Sequence, residues 1–193
     1  MNKGLTLVEL LVSIAIFGIL TTSLIGIFTS AMDAQASVLQ NQEIINQASY
    51  AVEYMDRSIR MALRDDATSA NGACTGVLND NYGISANSIQ FLTYDTVDGV
   101  YKCKRFYLDG NILKEQKSLN MTSASFQAGV EIASSEIKFN SLVFTVSGDD
   151  YGIAQPIVTI TMDVQYNSSR RLNPIPGMVL QTSISQRNLN VSE

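Results

Sequence analysis

Lys3-Gly4-Leu5-Thr6-Leu7-Val8-Glu9-Leu10-Leu11-Val12-Ser13-Ile14-Ala15-Ile16-Phe17-Gly18 is the stretch that decides the fold. Continued to Phe28, it is apolar apart from Glu9 and a few small hydroxyl residues. At a helical rise of about 1.5 Å per residue, Leu5 to Phe28 spans about 36 Å, enough to cross a bilayer. Lys3 precedes the run and no lysine lies within it, which favours a cytoplasmic N-terminus. Glu9 is the anomaly. A carboxylate in an apolar span costs a few kcal/mol, so its presence implies a partner.

These residues resemble the type IV prepilin family: a short basic leader ending in Gly4, a small hydroxyl among apolar residues, and Glu9 five residues after the glycine. The resemblance implies that a membrane prepilin peptidase cuts between Gly4 and Leu5 and methylates the new amine of Leu5. It makes Glu9 the glutamate of the motif, an assembly residue. The implied partners are other pilin subunits, the prepilin peptidase, a pilus assembly platform and the inner membrane, crossed once. An extracellular or periplasmic filament is the implied destination. Two departures stand out: Leu5 replaces the commoner phenylalanine, and Gly26 lies where many major pilins carry a helix-bending proline. The motif covers only the first thirty or so residues.

Physical chemistry agrees with that resemblance. A free amine on Leu5, one helical turn from Glu9, supplies an opposite charge that can pair within a subunit or between neighbours. An unpaired Glu9 penalises a lone subunit in lipid, and docking relieves the penalty. Ala34-Gln35-Ala36 offers a signal-peptidase site, but the apolar run is too long for a signal core and carries an acid. A plain membrane anchor leaves Glu9 unexplained.

The 193-residue chain has room for one domain beyond the apolar arm. The expected divisions are a leader at 1–4, a membrane-spanning or filament-core helix at 5–28, and a globular pilin domain at 29–193. A formal net charge of -5 argues against a broad basic field for nucleic acid, which remains a lesser alternative partner. The absence of histidine removes His-based acid–base chemistry and metal ligation. Cys74 and Cys103 lack C-x-x-C spacing. In a domain exported on such an anchor they are expected to form one disulfide, worth about 3 kcal/mol, with two buried free thiols as the alternative.

No proline or glycine interrupts 29–64. Val38, Ile45, Ala48, Val52, Met55, Ile59 and Ala62, flanked by Ile44 and Leu63, recur at three-four spacing, which predicts one continuous helix from Leu5 to about Arg64 with an amphipathic second half. Gly72 and Gly76 break it, and a loop anchored by Cys74 follows to Ala86. Asn79-Asp80-Asn81 resembles a calcium loop only superficially, lacking the acidic spacing and closing glutamate. Alternating apolar residues predict strands at Ser88–Tyr94, Val100–Leu108, Ile112–Gln116, Ile137–Val146 (bulged near Ser141), Ile157–Tyr166 and Met178–Gln186. Lys102, Lys104 and Arg105 read as solvated or edge-protecting charge. Ser118–Glu136 reads as a loop.

A sheet with one apolar face needs a cover, and the stripe from Val38 to Leu63 is the available one. The fold class is therefore α+β, a long N-terminal helix packed on antiparallel sheet, as in the pilin fold. No nucleophile elbow, phosphate loop or metal cluster is present, so no enzyme and no cofactor is expected. The expected function is a structural filament subunit, either a minor pilin or a J-class pseudopilin of type II secretion. The alternative is an exported adhesin or DNA-uptake subunit that uses the arm as anchor.

Overall fold

The computed structural model describes residues 6–66, 71–148, 155–167 and 177–187. Among them, one long helix is followed by eight strands in two antiparallel sheets, an α+β arrangement consistent with a pilin fold. The chain forms two compact units, Met1–Gln42 and Glu43–Glu193.

Helix α1 runs from Leu7 to Arg60. Thr6 opens it: its Oγ1 accepts a hydrogen bond from the Glu9 amide at 3.3 Å, and its carbonyl accepts from Leu10. Glu9 in the first turn and Arg57 and Arg60 in the last complement the helix dipole. The helix stops short of Arg64. Met61 and Ala62 close tight turns onto Ser58 and Ile59, and the Leu63 amide then donates to the Leu92 carbonyl at 2.8 Å. Recruitment of that amide by the sheet removes it from the helix.

The first sheet has the order β1 (Gly83–Ser85), β2 (Ser88–Asp95), β3 (Val100–Asp109), β4 (Ile112–Lys117), β5 (Val130–Glu131). The second has β6 (Ile137–Ser147), β7 (Ile157–Tyr166) and β8 (Met178–Ser185). The two short strands β1 and β5 lie in segments that read as loop, since two or three residues carry no alternation to detect. The β3–β4 hairpin turns at Gly110 (φ +61°), a conformation suited to glycine. The register of β6 on β7 shifts between Phe139 and Ser141, where the bulge is expected. The turn at 147–152 and the loop with Pro174 and Pro176 fall largely or wholly outside the described residues.

The core of the second unit lies between the helix and both sheets. Ile44, Ala48, Ala51, Met55 and Ile59 are buried against Ile89, Phe91, Phe106 and Leu113 on one side and Phe139, Phe144, Ile160 and Met162 on the other. This corrects the expected stripe. Val38 and Ile45 are exposed and Val52 is half-buried, while Ile44 and Ala51 take the central line. Both lines satisfy three-four spacing. They share Ala48, Met55 and Ile59 and differ at Ile44 against Ile45 and Ala51 against Val52, where the sheet covers the first of each pair. A smaller cluster of Cys74, Leu92 and Cys103, with Leu63 and Phe126, packs separately.

Candidate assembly interface

Between Leu7 and Phe28 every residue except Thr21 is exposed, and Thr21 is only half-buried. This part of α1 is long and apolar enough to cross a membrane, and none of its most apolar stretch is buried within the chain. Its hydroxyls are all accounted for. Ser13 donates to the Glu9 carbonyl at 2.7 Å, Thr21 to Phe17 and Gly18, Thr22 to Gly18 and Ile19, Ser23 to Ile19, and Thr29 to Ile25 and Gly26. Each returns its proton to a carbonyl three or four residues back, so none carries an unpaired donor into lipid. The Glu9 carboxylate differs: among the described residues nothing pairs with it. Gly4 and Leu5, the expected processing pair, lie outside the described residues. A Cβ added at Gly18 or Gly26 would meet no atom within 4 Å, so the chain's own packing does not require either glycine. The helix continues through Gly26 unbroken.

In the second unit, a buried polar cluster ties α1 to the first sheet. Lys104 Nζ lies 2.7 Å from Glu115 Oε1, and both side chains are about nine-tenths buried. It also donates to Ser58 Oγ at 2.8 Å, and the Tyr54 hydroxyl donates to Glu115 Oε2 at 2.6 Å. The ammonium sits 4.9 Å from the centre of the Tyr54 ring and 5.1 Å from that of Phe106. Burial pushes the Lys104 amine below its ordinary value despite the carboxylate beside it. Burial, then the bond to Glu115, holds the Tyr54 hydroxyl well above the ordinary tyrosine value. Lys104 is thus not the solvated charge expected of it. The signal was available: alternation puts Lys104 on the face of Phe106, and counting from the turn at Gly110 places Glu115 opposite Phe106. Lys102, with 15 % of its side chain exposed, bridges Asp95 and Asp98 at the β2–β3 turn.

Asp65 and the disulfide organise the segment after the helix. Asp65 is fully buried, and its carboxylate accepts from the amides of Gly72, Cys74 and Thr75, each at 2.8 Å, and from the Thr75 hydroxyl. Cys74 is joined to Cys103 of the central strand β3, with Cα atoms 5.5 Å apart. Cys103 is also held from just beyond the end of β4, its amide donating to Ser118 Oγ at 2.7 Å. The sequence carries no sign of this role for Asp65, since nothing in its surroundings distinguishes a buried carboxylate from a solvated one. The Asn79-Asp80-Asn81 segment packs back onto Asp65 through backbone bonds, and burial pushes the Asp80 carboxyl up. Among the described residues, no three His, Cys, Asp or Glu side chains are placed to share a metal ion.

Residues 1–25 match the family model described as the prokaryotic N-terminal methylation motif, the type IV prepilin-like signature. The match supports a type IV pilin-like subunit processed by prepilin peptidase, with that peptidase and other pilin subunits as partners. With the single apolar helix, it fits a single-pass inner-membrane anchor and suggests a structural subunit rather than an enzyme. The chain matches no curated protein and no solved structure.

Proposed function

We propose that this protein is a minor pilin or pseudopilin: a structural subunit stored in the inner membrane, cleaved after Gly4, and assembled through residues 5–28 into a type IV pilus-like filament. One observation carries the proposal. The methylation motif leads into an arm, Leu7 to Phe28, whose apolar residues are left uncovered by the chain and whose one carboxylate, Glu9, has no partner among the described residues. The free amine of Leu5 in a neighbouring subunit supplies the missing charge. In a lone subunit Glu9 is costly, and in a docked one it is paired, so the same residue disfavours free arms and favours the filament. The paired hydroxyls of the arm add no competing polar demand.

The test is the intact mass and N-terminal peptide of the mature protein, with a count of subunits in sheared filaments. Leu5 is expected as an N-methylated first residue. A bulky residue in place of Gly4 is expected to leave precursor in the membrane. Glu9→Ala is expected to be processed normally and to assemble poorly. A mature terminus at Ser37, or normal assembly of Glu9→Ala, refutes the proposal.

A further inference from the structure

The edges of the two sheets are not treated alike. In the first sheet, β1 has three residues and β5 two, too short to template another chain. In the second, the outer edge of β6 is broken by its bulge, and Asn111 bonds both the amide and the carbonyl of Phe139 there. Strand β8 has none of these devices. It is eight residues long, pairs with β7 from Ile157↔Ser185 to Val164↔Met178 without a register shift, and contains neither a charge nor a proline. Among the described residues no strand pairs with its other side. Val179 on that strand is 69 % exposed.

Beside β8, between it and α1, lies a groove of about 410 Å³ whose floor includes Val52, Ile160, Met162 and Leu180. The charges on its helical wall are already matched within the helix, Asp56 with Arg60 and Glu53 with Arg57. The groove therefore offers apolar surface without a spare charge, next to a row of backbone groups that only an extended chain can satisfy in register.

We propose that β8 is completed by a β-strand from a neighbouring, non-identical subunit, which adds to the second sheet and drops its inward apolar side chains into this groove. The proposal rests on the filament reading above. β8 itself offers a partner no charge, so the recognition it supplies is through backbone groups and apolar side chains. Pairing of β8 with β8 of a second copy about a twofold axis would close the edge in a dimer and end there, whereas a filament requires a contact that propagates. Eight residues of added strand would run about 26 Å, at about 3.3 Å per residue. Backbone bonds would supply affinity, and the alternate side chains in the groove would supply selectivity.

Hydrogen exchange on the full-length protein decides the matter, read over 177–187 in two samples: purified in detergent, and assembled in filaments. The β8 amides that do not face β7 are expected to exchange freely in detergent and about tenfold or more slowly in the filament. Thr182→Asp, which sets a charge at the groove, is expected to be processed normally and to lose that added protection. Equal exchange in both samples overturns the proposal. Protection already present in detergent also overturns it, because the edge is then covered by the chain's own ends or by a second copy. Should Thr182→Asp fail to fold, the wild-type comparison still decides. Absence of the protein from filaments refutes the filament reading itself, whereas presence with unprotected β8 amides refutes only the added strand.

Discussion

Replacing Lys104 by methionine tests whether the helix is pinned to the first sheet by a buried ion pair. The substitution keeps most of the volume and removes the close charge, leaving Glu115, with only 10 % of its side chain in contact with water, to the half-exposed Lys117 ammonium 4.0 Å away. Breaking a buried pair in this one-sided way costs about 3–5 kcal/mol. The Tyr54 hydroxyl still solvates one oxygen, which places the expectation at the lower end, about 3 kcal/mol. For a domain of this size each kcal/mol moves the midpoint by about 2–4 °C, so Tm should fall by about 6–12 °C. Scanning calorimetry of the full-length protein in detergent measures it. The double variant Lys104→Met with Glu115→Leu should recover most of the loss, because burial already opposes the Lys104 charge and two apolar side chains fit the same space. The pair then fixes the seating of the helix and adds little net stability. A loss under about 1 kcal/mol for the single variant, the range of an exposed pair, would refute the reasoning. So would a double variant as unstable as the single one.

Three shorter predictions follow from the same unit. Labelling of denatured, unreduced protein should find no free thiol, and Cys103→Ser should cost about 3 kcal/mol by removing a cross-link over 29 positions; two reactive thiols contradict this. Asp65→Ala leaves three amides without their acceptor, so it should destabilise by at least about 3 kcal/mol and speed exchange at Gly72, Cys74 and Thr75; unchanged exchange there removes its organising role. The folded state holds the Tyr54 proton to higher pH than the unfolded chain does, so its contribution is complete below about pH 10 and is lost as pH rises beyond that. Tyr54→Phe should therefore lose less stability than wild type between about pH 9 and 11, and parallel losses in calorimetry contradict the assignment.

What the sequence discloses depends on how local the cause is. The arm from Leu7 to Phe28, the six long strands and the bulge before Ser141 are each set by a run of neighbouring residues, so period and composition reveal them. The end of α1 is not local: Arg64 falls outside the helix because Leu92, across a long loop, takes the Leu63 amide. The same limit explains the misplaced core stripe, since Ile44 and Ile45 are equivalent to a helix and differ only to a sheet. Asp65 and Lys104 are the sharpest cases. A charged residue carries no mark of burial, and each is buried because a distant segment brings partners to it: three loop amides in one case, a strand carboxylate and a helix hydroxyl in the other. Glu9 is the reverse. Its context is wholly apolar and local, so the sequence alone marks it as unpaired, and the folded chain adds no partner among the described residues. A charge whose burial comes from its own fold arrives with a partner, as Lys104 does. Under the filament proposal, a charge set in an apolar arm without such a partner finds it on the amine of a neighbouring subunit, and that separates an assembly residue from a structural one.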